Sequence, residues 1–123
     1  MSKSVILAGC GNMGFAMLKG WIDGGVLEPG HVSVVEPNEA LRVRAHGLGV
    51  RAVASVAEIN PSHVPTLVVI AVKPQSMASV LPDYAGMAER GTAFLSVAAG
   101  IPMNAYLAVL GADTAIVRCM PNT

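Results

Sequence analysis

Charge is scarce in this sequence. Only 13% of its 123 residues are Asp, Glu, Lys or Arg, against about 25% in ordinary soluble domains, and eight basic residues balance eight acidic ones. A balanced chain with pI near 6.8 lacks the basic excess that nucleic acid or an anionic membrane calls for, so neither is expected as a partner. Long hydrophobic runs are missing too. Mean hydropathy is high at +0.56, yet stretches such as Leu67 to Val72 fall far short of the roughly 20 residues that a spanning helix needs. The apolar content is therefore expected to lie in strands buried on both faces, with part of the surface covered by a second domain or another subunit. Cysteine is limited to Cys10 and Cys119, which fall in different motifs without metal-ligand spacing. No metal site or disulfide is expected, and reduced thiols suit a cytoplasmic protein. Met1 to Ser4 carry no signal-peptide pattern. No repeat, low-complexity tract or linker divides residues 1–123, a length that suits one domain with one core.

What is present is an alternation of short β-rich runs with helix-like stretches. Ser4 to Ala8 reads as a first strand. Asn12 to Asp23 follows as a helix with an apolar stripe of Met13, Met17, Leu18, Trp21 and Ile22, ended by Gly24 and Gly25. Val32 to Glu36 makes a second strand, and a helix after Pro37 and Asn38 ends before Gly47. A short third strand spans Val50 to Val53, after which Ser55 and Glu58 have capping-box spacing. Thr66 to Val72 reads as a central strand. The helical region from Ser76 to Glu89 is expected to break at Pro82. Thr92 to Val97, a helix opening with Pro102 and closed by Gly111, and Ala115 to Met120 complete the pattern. About six strands with helical connections predict an α/β, three-layer, Rossmann-type doubly wound parallel sheet in the order 3-2-1-4-5-6.

Gly9-Cys10-Gly11-Asn12-Met13-Gly14 matches G-x-G-x-x-G between the first strand and first helix, the context that gives this motif a mechanism. Gly9 suits a tight turn, Gly11 lets the backbone approach a pyrophosphate, and Gly14 lets helix and strand pack closely. The helix start offers unpaired N–H groups and partial positive charge to the anion. That field predicts a lowered thiol pKa for Cys10, although small size is a simpler reason for it. Glu36 lies 22 residues beyond Gly14, placed to accept from ribose hydroxyls. Its charge alone leans toward NAD, and it also suits the start of the following helix. Arg42 and Arg44 are available to a 2′-phosphate, so the cofactor is NAD(P)H with the choice between forms open.

Three more motifs close strands at their carboxyl ends, where ligands bind in such sheets: Ala71-Val72-Lys73-Pro74-Gln75, Ser96-Val97-Ala98-Ala99-Gly100, and Arg118-Cys119-Met120-Pro121-Asn122-Thr123. Together with the glycine motif, these resemble the N-terminal domain of pyrroline-5-carboxylate reductase over essentially the whole chain. The resemblance implies hydride transfer from NAD(P)H to 1-pyrroline-5-carboxylate, the last step of proline synthesis. It implies that Gly9, Cys10, Gly11, Asn12, Met13 and Gly14 hold the pyrophosphate and that Glu36 lies near the adenosine ribose. Val72, Lys73 and Pro74 would line the path to the nicotinamide ribose, Val97, Ala98 and Ala99 would flank the nicotinamide, and Asn122 would lie near nicotinamide and substrate. Lys73 also reads as a solvated strand-end charge, and Pro121-Asn122 as an ordinary turn.

Two positions depart from the family pattern. Many relatives have a small or polar residue where Glu36 stands, and some have an asparagine where this chain has Ser55-Val56-Ala57. The family continues past Met-Pro-Asn-Thr into a helical domain that makes the dimer and closes over substrate. That domain is absent from these 123 residues, so no catalytic residue is named, the chain alone is expected to bind without turnover, and the full-length enzyme is expected to be a homo-oligomer. The glycine fingerprint also fits β-hydroxyacid and prephenate dehydrogenases, or a dinucleotide-sensing module with no chemistry of its own.

Overall fold

A computed structural model describes residues 4–60, 63–98 and 100–119. Six strands form one parallel sheet: β1 (Val5–Ala8), β2 (Val32–Val35), β3 (Arg51–Val53), β4 (Leu67–Ile70), β5 (Ala93–Ser96) and β6 (Ile116–Arg118). Their spatial order is β3-β2-β1-β4-β5-β6, the doubly wound order expected from the sequence. Val5 pairs with both Val32 and Leu67, so β1 and β4 lie side by side at the centre. Each of these two strands is covered on both sides, which accounts for their near-continuous apolar character.

Strand alternation sorts the core into two clusters. Val5, Leu7, Val32, Val34 and Val69 face α1 (Asn12–Asp23) and α2 (Glu39–His46), packing with Leu18 and Ala45. Ile6, Ala8, Val68, Ile70 and Phe94 face the other layer, packing with Met77, Leu81, Tyr84, Met87, Tyr106 and Leu110. That layer comprises α3 (Met77–Val80), α4 (Ala85–Glu89) and α5 (Met103–Leu110). Among the described residues no helix is long and apolar enough to cross a membrane.

The local signals act as their chemistry requires. Asn38 caps α2 by accepting from the Leu41 amide at 3.1 Å. Ser55 and Glu58 form the capping box, there opening a single 3-10 turn (Val56–Glu58). Pro82 has no N–H to donate, and the chain tightens into a 3-10 segment, Leu81–Tyr84, between α3 and α4.

Some boundaries differ from the sequence expectation. β4 stops at Ile70 instead of Val72, because the layers separate there: α1 leaves β1 toward one face while α3 follows β4 onto the other. Pro102 stands just before α5, with ψ 152, instead of opening the helix as its first residue. β6 begins at Ile116 and ends at Arg118, shorter than Ala115 to Met120, and Met120 lies outside the described residues.

Leu18 is fully buried under α1 against the sheet. Leu18→Ala is expected to destabilise the fold by about 2–5 kcal/mol, read as a lower midpoint in urea unfolding. A loss under about 1 kcal/mol would contradict this packing.

Candidate functional site

The site is built on the turn from β1 into α1. Gly9 has φ +94, a conformation that residues with a Cβ rarely adopt. A Cβ there would lie 2.9 Å from the carbonyl carbon and oxygen of Ala71. A Cβ on Gly14 would stand 2.5 Å from the Gly9 carbonyl oxygen, so α1 reaches the turn only because Gly14 lacks one. Gly11 differs from both. Its φ of −68 suits any residue, and nothing lies within 4 Å of the position a Cβ would take. Two glycines serve contacts within the protein, and the third keeps a space open.

Gly11 is the N-cap of α1, and no side chain caps that end. The Phe15 amide closes the first helical bond on the Gly11 carbonyl at 2.8 Å, which leaves the amides of Asn12, Met13 and Gly14 without intrahelical acceptors. No acidic residue lies in the first turn to neutralise them. An uncapped helix start beside open space presents donors and partial positive charge to an anion.

The peptide at Cys10 is gripped from both ends. Its N–H donates to Glu36 Oε1 at 2.8 Å, and its carbonyl accepts from Arg44 Nη2 at 3.2 Å. Glu36, only 9% exposed, also accepts from the Asn38 amide at 3.0 Å. Arg44 lies over the Phe15 ring, 4.2 Å from its centroid, and reaches Asn12 Oδ1 at 3.5 Å; its Nε is buried with no partner. Arg42 donates to the carbonyls of Glu36 and Pro37. Glu36 thus stands beside the glycine turn, with its carboxylate directed onto the backbone amides of Cys10 and Asn38. The tie from Arg44 to that turn was not anticipated. It joins residues 34 positions apart, and the only sequence signal was a cation on α2.

The lowered thiol pKa expected for Cys10 is overturned. Burial pushes it up, outweighing the pull of Arg44, and Glu36 adds to the rise. A fully buried thiol with a raised pKa is a small packing residue, in keeping with the simpler expectation for Cys10.

A cleft of about 390 Å³ opens at the carboxyl ends of the central strands. Gly11, Asn12, Met13 and Gly14 form one wall; Ala71, Val72, Lys73 and Pro74 form another; Val97 and Ala98 close the far end. Most of the motif residues singled out in the sequence therefore converge, although they come from three separate strand ends. Gly9 and Cys10 lie beneath this wall and Glu36 stands to its side, outside the cleft lining. Ala71 also lines the cleft, although only its place in the strand-end motif marks it in the sequence. Ala99 and Asn122 lie outside the described residues. The cleft changes character along its length, from backbone donors at α1 to apolar side chains at Val72, Val97 and Ala98. It lies where α1 and α3 diverge to opposite faces, the position at which doubly wound sheets hold ligands.

Comparison with known proteins agrees with this geometry. The chain is 34% identical to a pyrroline-5-carboxylate reductase from Escherichia coli over its full length, and 32% identical to one from Methanosarcina acetivorans over 98% of it. It spans 45% and 44% of those two relatives, less than half of their length. A solved structure of a pyrroline-5-carboxylate reductase from Coxiella burnetii superposes on all of the chain with TM-score 0.90 at 24% identity, the chain covering 45% of it. A prephenate dehydrogenase from A. aeolicus shares the fold more loosely, with TM-score 0.79 and 15% identity over 96% of the chain and 41% of that structure. Residues 3–100 match the family described as NADP oxidoreductase, coenzyme F420-dependent. With a match over most of its length, the chain belongs to that family.

Proposed function

We propose that this chain is the NAD(P)H-binding half of a pyrroline-5-carboxylate reductase, a cytoplasmic homo-oligomer that reduces 1-pyrroline-5-carboxylate to L-proline. The observation that carries the reading is the open space at Gly11, set against an uncapped helix start in a cleft whose other end is apolar. A dinucleotide has the matching division: a doubly charged diphosphate at its middle and a flat, weakly polar nicotinamide at one end. Similarity along essentially the whole of this chain to the matched portions of curated pyrroline-5-carboxylate reductases supports the choice of substrate.

The fit can be assigned residue by residue. Amides at the start of α1 would hold the diphosphate, with Gly9, Cys10, Gly11, Asn12, Met13 and Gly14 forming the cradle. Glu36 would lie at the adenosine ribose. Val72, Lys73 and Pro74 would line the way to the second ribose, and Val97, Ala98 and Ala99 would support the nicotinamide, with Asn122 close to both nicotinamide and substrate. The reduced nicotinamide, when bound, supplies a hydride to the C=N carbon of the substrate. This chain contributes placement: it holds one reactant against small side chains so that the other can approach within reacting distance. The rest of the substrate site would come from the helical domain that the family resemblance implies.

Two outcomes are expected. In the intact protein, incubation with 1-pyrroline-5-carboxylate should oxidise one NADH or NADPH for each L-proline formed; coenzyme binding with no proline formed would contradict the assignment. Gly11→Val should leave the chain folded, because its side chain enters open space and only the N-cap preference of glycine is lost, about 1 kcal/mol. It should weaken NAD(P)H binding about a hundredfold or more, corresponding to at least about 2.7 kcal/mol. Titration followed through Trp21, the single tryptophan of these 123 residues, reads this; retained affinity would remove the turn from the site.

A further inference from the structure

A buried pair of hydroxyls lies below the apolar end of the cleft. β5 ends at Ser96, level with Ile70 of β4 and Arg118 of β6. The backbone around it is pegged on both sides, the Val97 amide donating to the Ile70 carbonyl at 3.0 Å and the Cys119 amide to the Ser96 carbonyl at 2.7 Å. The Ser96 side chain is a junction. Its Oγ accepts from the Ala98 amide at 3.3 Å and shares a hydrogen bond of 2.5 Å with the Tyr106 hydroxyl from α5. Ser96 and Tyr106 are both 0% exposed.

This pair stands in an otherwise oily setting. Tyr106 belongs to the cluster of Ile70, Met77, Phe94 and Leu110, against which Ala98 also packs. Phenylalanine would fill the same volume without a hydroxyl to desolvate. A buried hydroxyl is tolerable when partnered, and here the partner is the group that holds the amide of a cleft-lining residue. Solvent does not reach the junction to replace a lost partner.

We propose that Tyr106 is a positioning residue. Through Ser96 it fixes the Ala98 amide, and so holds the Val97–Ala98 wall in the register that receives the nicotinamide. The inference rests on the dinucleotide reading above, but the coupling from Tyr106 to Ala98 is a property of the chain itself. Small displacements of a ring-supporting wall matter because hydride transfer depends steeply on the approach distance.

The test uses Tyr106→Phe and Ser96→Ala in the intact protein, with two ligands and one ligand-free measurement. Amide hydrogen exchange at Ala98 should rise about threefold to tenfold in either variant, the loss of one modest hydrogen bond. Affinity for NAD(P)H should fall by about the same factor, whereas affinity for ADP-ribose, which lacks the nicotinamide, should stay within about twofold. Combining both substitutions should weaken NAD(P)H no further than Ser96→Ala alone, because Tyr106 acts through Ser96. Unchanged exchange at Ala98 would overturn the coupling. Equal losses for both ligands, or none for either, would overturn the positioning role. If the wild-type protein bound neither ligand while exchange still responded, the dinucleotide reading would fail and the role proposed for the coupling would fall with it.

Discussion

The close approach of α1 to the turn that precedes it is the constraint on which the site depends. Without a Cβ at Gly14 the helix start can sit against the Gly9 carbonyl, and without one at Gly9 the turn can lie against the end of β4. Those contacts bring the helix amides to the point where β1 and β4 part. A methyl group at Gly14 would clash with the Gly9 carbonyl and one at Gly9 with the Ala71 backbone, so neither close approach could be kept. The third glycine is unlike these. Gly11 satisfies no packing demand, and its value lies in the space left beside it for a ligand.

The surroundings stiffen that arrangement. Glu36 and Arg44, of opposite charge, hold the N–H and carbonyl of a single residue, Cys10, so the turn is fixed from both sides before a ligand arrives. At the other end of the cleft, main-chain bonds from Val97 and Cys119 and the hydroxyl junction at Ser96 hold the second wall. Both walls are tied back to the sheet, which lowers the ordering cost of binding. The cleft thus combines a rigid polar end with a rigid apolar end, a division suited to an extended cofactor.

Much of the fold was legible because β-branched runs, glycines and prolines act locally. Val32 to Val35 and Leu67 to Ile70 could hardly form anything but buried strands, and the glycine motif between Ala8 and Phe15 identified the first βα turn. Strand order followed from the six-strand count and the doubly wound fold it matches, an order that right-handed crossovers favour. Strand ends were drawn too long at Val72 because composition does not show where two layers separate. Pro102 read as a helix opener because its fixed φ suits a helix, while its extended ψ is set by the loop before α5. Long-range polar contacts left no local pattern. Nothing near Arg44 in sequence announces its reach to Cys10, Tyr106 reads as ordinary core, and the burial that raises the Cys10 pKa is a tertiary effect.

The central claim is that main-chain donors at the start of α1 grip a diphosphate. Backbone amide chemical shifts, recorded as NADPH or NADH is added to the ¹⁵N-labelled intact protein, test it most directly. The account predicts that the largest movements fall on Asn12, Met13 and Gly14, with a second group at Val97 and Ala98. Movements that spare the first turn of α1 while appearing elsewhere would contradict it.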